Sequence, residues 1–251
     1  MNTCAKTITW PNLQSAIANV RDFADSLGYP KYLLAIQKYH PSGQVVRAAL
    51  STYPKEWLHR YDERKYILLD PAVRQVLQSA IPFCWDELET RSRREQGFLR
   101  DAKEHGLGEG MTIPIHWIGG ELFVLSLSGA PVPVESSSRW QQYSKAYEFL
   151  CTNVSNLREI LLSGYERDPV VPLTSAQREV LEMLMQGNTA KGIARSLGIH
   201  VRAVEDRLAR ACGRLNANSR AQAMVRALTS GQITMFSDKI QHLNSLVWHV
   251  E

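Results

Sequence analysis

Along the last third of the chain, apolar residues recur every three or four positions, and polar residues or glycine interrupt them at short intervals. Val180, Leu181 and Leu184 mark a helix opened by Thr174 as its N-cap and closed at Gly187. Thr189 caps a short second helix ending at Leu197, and Gly198 permits a tight turn. Residues 200–215 follow as a longer helix with Val204, Leu208, Ala211 and Leu215 on its buried stripe and arginine dominating the rest. Two helices joined this way form a helix-turn-helix, and the longer one is the candidate reader of a major groove.

The first two thirds read differently. Leu13, Ile17, Val20, Phe23 and Leu27 mark an amphipathic helix. Residues 32–39 and 45–52 read as strands joined at Pro41-Ser42-Gly43. Residues 111–118 and 121–128 form a second pair, turned at Gly119-Gly120. The run 122–127 is almost continuously apolar, which predicts a sheet covered on both faces. Residues 136–162 read as one long helix through Trp140, Tyr143, Tyr147, Leu150, Val154, Leu157 and Leu161. The predicted class is therefore α+β: an N-terminal α/β/α sandwich followed by an all-α four-helix domain. Polar residues, glycine and two prolines break the pattern before Leu173. Residues 1–163 are assigned to the sandwich, 164–172 to a linker, 173–233 to the helical domain and 234–251 to a C-terminal extension. With Met235, Phe236, Ile240, Leu243, Leu246, Val247 and Trp248, the extension is too apolar for a solvated tail and is expected to dock as a short helix.

Charge separates the two parts again. Residues 173–235 carry nine basic and four acidic side chains, a net of +5, whereas residues 1–170 carry nineteen of each. A positive field confined to the small module implies a polyanionic partner there, double-stranded DNA, and a different partner for the rest. At 251 residues and 44% hydrophobic content there is room for two cores. The start shows no basic segment followed by an apolar run, and no stretch approaches the roughly 20 apolar residues that span a bilayer, so a soluble cytoplasmic protein without a membrane partner is expected. Cys4, Cys84, Cys151 and Cys212 are scattered and read as reduced thiols. His59, His105 and His116 fit no ligand spacing and read as solvated, and no G-x-S-x-G elbow occurs. No metal, cofactor or catalytic residue is predicted. A phosphorylation-controlled regulator would need acidic residues near its start, and none precedes Asp22.

Between the hairpins lie Tyr53, Trp57, Tyr61, Asp70 and Trp85. Trp57 and Tyr61, four apart, share one helix face. Aromatics with polar tips beside a carboxylate can line an apolar cavity with a few fixed hydrogen-bonding groups. They can equally form an aromatic core in which Asp70 merely caps a helix before Pro71. Strand alternation puts Leu122, Val124 and Ser126 on one face and Phe123 on the other, so Val124 is expected to bound any such cavity.

The C-terminal spacing, from Leu173 to Ile233, resembles the DNA-binding domain of LuxR-type regulators. Gln177, Gly192, Arg207 and Ser219 stand where that family usually shows glutamate, glutamate, histidine and asparagine. Trp57, Tyr61, Asp70, Pro71, Trp85 and Gly110, with the segment 110–114 and Leu125-Ser126-Leu127, are similar to the signature of the family's acyl-homoserine-lactone-binding domain. The resemblance implies a quorum-sensing transcription regulator with an N-acyl-homoserine lactone as autoinducer. Trp57 would donate to the lactone carbonyl and Asp70 would accept from the ligand amide. Tyr53, Tyr61 and Ser126 would surround the amide carbonyl, Trp85 would pack on the lactone ring, and Thr112 lies in the same segment. The long helix suggests a homodimer on promoter DNA.

For the DNA face the expected contacts are Thr189, Lys191, Arg202, Glu205, Arg207, Arg210 and Arg214, with Glu205 as base reader and Asp206 neutralised by Arg202 or Arg210. Activation by ligand and repression relieved by ligand remain alternatives, as does a lactone- or amide-hydrolysing sensor domain.

Overall fold

The computed structural model describes residues 12–39, 45–117, 120–162 and 171–233. The chain divides into two compact units, Met1–Glu166 and Arg167–Glu251. The hairpin turn at 41–43, Gly119, Cys4, most of the linker and the C-terminal extension lie outside the described residues.

In the first unit, strands β1 (Lys31–Tyr39), β2 (Val45–Ser51), β3 (Phe83–Cys84), β4 (Gly110–Trp117) and β5 (Glu121–Ser128) form one sheet in the order β2-β1-β5-β4-β3. Every neighbouring pair is antiparallel. Alternation along the strands sorts the faces. Leu34, Ile36, Met111, Ile113, Phe123, Leu125 and Leu127 pack against α1 (Leu13–Ser26) and α5 (Ser136–Leu161) in a fully buried core. The other face is covered by α2 (Lys55–Glu63), α3 (Pro71–Gln78) and α4 (Arg93–Glu104), through smaller clusters centred on Trp57, Tyr66 and Phe98 and on Val76, Phe83 and Leu122. The result is a helix–sheet–helix sandwich whose second helical layer holds the smaller buried clusters.

Two expectations change here. Helix α5 buries Tyr143, Ala146, Leu150, Asn153, Val154, Leu157 and Leu161, but Trp140 and Tyr147 are 57% and 46% exposed. Seven residues apart, those two share a ridge beside the buried stripe, and periodicity gives a stripe's direction but not its width. The histidines are also not uniformly solvated. His59 is exposed beside Glu63. His116 is exposed as well, with its Nε2 2.8 Å from the Val76 carbonyl oxygen, whereas His105 is half-buried with its ring 5.2 Å from that of Trp57.

The second unit holds α6 (Ser175–Met185), α7 (Ala190–Leu197), α8 (Val201–Arg214) and α9 (Arg220–Thr229) around a core of Val180, Leu181, Ile193, Val204, Leu208, Ala211 and Ala227. Thr174 and Gln177 make a reciprocal capping box: the Gln177 amide donates to Thr174 Oγ1 at 3.3 Å and the Thr174 amide to Gln177 Oε1 at 2.9 Å. The carboxamide thus replaces the more usual glutamate without loss of the motif. Gly198, at φ 65°, ends α7 in the left-handed conformation that the turn into α8 requires.

Candidate ligand cavity and nucleic-acid interface

Between the sheet and the α2–α3–α4 layer lies a cavity of about 360 Å³. Tyr53, Trp57, Tyr61, Asp70, Trp85, Thr112, Val124 and Ser126 all line it. Its remaining wall is mostly aliphatic: Leu33, Ala35, Ala49, Ala72, Val73, Val76 and Leu122 among others.

The polar groups converge at one end. Asp70 performs both roles that the sequence left open. Its Oδ1 accepts the Ala72 amide at 2.8 Å and so caps α3, with Pro71 at the first helical position, while its Oδ2 accepts the Tyr61 hydroxyl at 3.0 Å. Burial raises the Asp70 carboxyl above its ordinary value, against the amides of Ala72 and Val73, the Tyr61 hydroxyl and Arg74. Burial also drives the Tyr61 and Tyr53 hydroxyls far up, so both stay protonated donors. The Tyr53 and Ser128 hydroxyls are buried without a hydrogen-bond partner. Across the sheet, Trp85 Nε1 donates to Thr112 Oγ1 at 2.9 Å, and Thr112 Oγ1 lies 2.9 Å from Ser126 Oγ. Gly110 makes room for this arrangement. A Cβ there would stand 2.5 Å from the Leu127 carbonyl oxygen and 3.0 Å from the Trp85 ring.

Trp57, 3% exposed, is held in an aromatic cage, with ring centroids 5.9 Å from Tyr61, 5.7 Å from Tyr66, 5.8 Å from Phe98 and 5.2 Å from His105. Behind the cage sits Asp101, which spacing alone does not single out. Its Oδ2 accepts from the Tyr66 hydroxyl and from Arg60 Nε, each at 2.6 Å. Burial opposes its charge, but those donors outweigh burial and hold the carboxyl below its ordinary value. The carboxylate thereby ties α4 to α2 directly behind the indole.

On the helical unit, Lys191, Arg202, Asp206, Ala209, Arg210 and Arg214 are exposed, and Thr189 caps α7 by accepting the Gly192 amide at 3.1 Å. Two of the expected contacts are tied to α6 and the segment before it. Arg207 stands 3.9 Å from Glu179, and Arg214 donates to the Pro172 carbonyl. Among the described residues Asp206 makes no ion pair. Glu205 does, through its Oε2 with Arg220 at the start of α9. The neutralised acid is therefore Glu205 rather than Asp206, because the α8–α9 packing, invisible to i±4 arithmetic, brings an arginine from another helix.

Residues 12–152 match the family described as autoinducer binding domain, and residues 171–227 match bacterial regulatory proteins of the luxR family. This chain belongs to the LuxR-type regulators. Its parts are an autoinducer-binding domain and a DNA-binding helix-turn-helix, the organisation of a transcription regulator. Among curated relatives of this LuxR-type regulator, the transcriptional activator AnoR of Acinetobacter nosocomialis is 25% identical over 84% of this chain and 89% of its own. The transcriptional activator RaiR of Rhizobium etli is 29% identical over 69% and 72%. The Escherichia coli SdiA crystal structure has the same fold, with a TM-score of 0.66, 20% identity, and coverage of 90% of this chain and 93% of that one.

Among the described residues, no helix is long and apolar enough to cross a membrane. The one cluster there with metal-ligand proximity is Cys84, Asp86 and Glu87, and Arg139 already neutralises both carboxylates, at 2.8 and 2.7 Å.

Proposed function

We propose that the cavity binds an N-acyl-homoserine lactone, and that the liganded protein acts in the cytoplasm as a homodimer on promoter DNA. The observation that carries this reading is the meeting of an acceptor, Asp70 Oδ2, steadied by the Tyr61 hydroxyl, with a buried hydroxyl donor that has no partner, Tyr53, at one end of an apolar cavity. A secondary amide buried with an alkyl chain needs both an acceptor for its N–H and donors for its C=O, and each unmet group costs about 1–3 kcal/mol. Asp70 then accepts the amide N–H while the Tyr61 hydroxyl keeps its bond to that carboxylate, Tyr53 donates towards the amide carbonyl with Tyr61 and Ser126 around it, Trp57 meets the lactone carbonyl, and Trp85 with Thr112 flanks the ring. Val124 bounds the acyl chain. The site binds its ligand and does not hydrolyse it.

Residues 1–163 serve as sensor and 173–233 as DNA-binding domain, joined by 164–172. Thr189, Lys191, Arg202, Glu205, Arg207, Arg210 and Arg214 form the contact set for DNA. The exposed Trp140 and Tyr147 ridge of α5 is the proposed contact between protomers.

Mass spectrometry of the small molecule that co-purifies from lactone-fed cells tests the reading. An intact acyl-homoserine lactone is expected; its absence, or ring-opened product alone, overturns it. Sedimentation with ligand and operator tests assembly, where a monomer would refute the dimer.

A further inference from the structure

The cavity is polar at both ends. Strand register arranges its sheet face in rows: Ser126 beside Thr112 at the deep end, then Ala35 between Ala49 and Val124, then Gln37 between Arg47 and Leu122. From the Ser126 row to the Leu122 row is four residues of one strand, or about 13 Å. At roughly 1.3 Å per carbon, an extended acyl chain of about ten carbons spans that distance.

The middle row is small. Ala35 and Ala49, facing Ala72 and Val73 of α3, leave a slot along the sheet. The outer row is different in kind. Arg47 Nε donates to Gln37 Oε1 at 2.9 Å, so a cation and a carboxamide form the end of an otherwise aliphatic channel. Arg47 lies on β2, the edge strand of the sheet, and Gln37 on β1 beside it; Arg47 and Ala49 are exposed at that edge. The Arg47 charge also reaches inward, since it opposes the rise at the Tyr61 hydroxyl. A purely alkyl tail ending in this row would take water from a guanidinium and a carboxamide and put nothing polar in its place, whereas a terminal oxygen would replace that water with an acceptor.

We infer that the outer end of the cavity is a tail subsite, in which Arg47 and Gln37 receive an oxygen acceptor at the far end of an acyl chain about ten carbons long. This rests on the lactone reading above. The class of ligand is then a long-chain homoserine lactone whose tail ends in a hydroxyl or carboxylate.

Titration calorimetry on the full chain tests it with four probes: N-butanoyl- and N-decanoyl-homoserine lactone, and decanoyl forms ending in hydroxyl or in carboxylate. At least one oxygenated form is expected to bind about tenfold tighter than plain decanoyl. If the carboxylate is that form, its advantage should shrink with salt. Arg47→Met should collapse the ratio of oxygenated to plain affinity, and Ala49→Leu should shift preference towards butanoyl. Equal affinity for plain and oxygenated tails, or a ratio that survives in Arg47→Met, overturns the inference while leaving lactone binding intact. If no homoserine lactone binds whatever its tail, the lactone reading fails and the tail subsite fails with it.

Discussion

The two units place their working polar groups in opposite environments. In the sensor, Asp70, Tyr53, Thr112 and Ser126 line an apolar cavity, where desolvation makes every donor and acceptor seek a partner. In the helical unit, Lys191, Arg202 and Arg210 stand in water, where the same charges are screened and separately weak. A single substitution in the cavity should therefore act strongly and on one ligand. A single substitution on the DNA face should act modestly, and its signature should be a salt dependence.

The largest effect is expected at a residue without a side chain. Gly110→Ala drives a Cβ against the Leu127 carbonyl oxygen and the Trp85 ring, and the oxygen, being backbone within a paired strand, cannot step aside. Overpacking of this kind costs about 1–3 kcal/mol, and here it also displaces Trp85 from Thr112. A melting temperature several degrees lower, with loss of ligand response, is the expected outcome of thermal unfolding and a reporter assay. Wild-type behaviour in both would show that the sheet gives way there.

Next come the cavity groups assigned to the ligand in the proposed pose. On the proposed lactone pose, Asp70→Asn and Trp57→Phe should each remove a ligand hydrogen bond in a desolvated site, worth about 1–3 kcal/mol or roughly 5- to 150-fold in affinity, and neither should alter DNA binding by the isolated helical unit. Asp70 adds a pH dependence. Burial raises its folded value, so in the empty protein part of the carboxyl stays neutral above the ordinary carboxylate range. A ligand amide N–H favours the ionised form, so affinity should climb as pH rises through the raised value and fall towards acid. The stability of the empty protein moves the other way: Asp70's contribution is fully present below the unfolded value and is lost as pH rises through the folded one. Calorimetry across that range should show both trends in wild type and neither in Asp70→Asn.

The helical unit is almost fully legible from the chain, because caps, turn glycines and 3.6-residue spacing are local signals; Thr174, Thr189 and Gly198 do in the structure what their positions announce. The sheet is legible from alternation, which puts Ser126 and Val124 on the cavity face and Phe123 in the opposite core. Tertiary pairings are not legible. Asp101 reaches Tyr66 and Arg60 across 35 and 41 residues, and nothing in its neighbourhood in the chain marks it. Asp70 is ambiguous for another reason: the cap uses one carboxylate oxygen and leaves the other at the cavity, on the Tyr61 hydroxyl, so the local signal is compatible with a cap, a cavity wall or both. Arg47 opposite Gln37 needs the hairpin register, and a slip of β2 by one residue would turn Arg47 to the other face.

On the exposed face, Arg202→Ala should weaken binding to all sequences alike and lower the slope of log affinity against log salt by about one. Filter-binding or anisotropy titrations over a salt series measure this directly. An unchanged slope would take Arg202 off the phosphate backbone, and a loss confined to one operator sequence would make it a base contact.

The smallest and most diagnostic effect concerns Glu205. Acids repel phosphates, so one on the recognition helix needs a compensating role. Arg220 engages its Oε2, which leaves Oε1 to accept from a cytosine N4 amino group in the groove. The pair is solvent-exposed, and such pairs couple by about 0.2–1 kcal/mol, under roughly fivefold in affinity. The expected pattern is therefore asymmetric. Glu205→Ala should relax preference at one symmetric base-pair position while leaving the salt slope unchanged or slightly steeper. Arg220→Ala should keep the same preferred base but blunt the preference, because it frees the carboxylate to wander. A double-mutant cycle read on matched and mismatched operators separates aiming from simple neutralisation: coupling that differs between the two operators means Arg220 aims the reader. If Glu205→Ala instead raised affinity equally for every sequence, the carboxylate would be a tuning charge on α8, and base reading would pass to the exposed Arg202, Asp206 and Arg210 of the same helix.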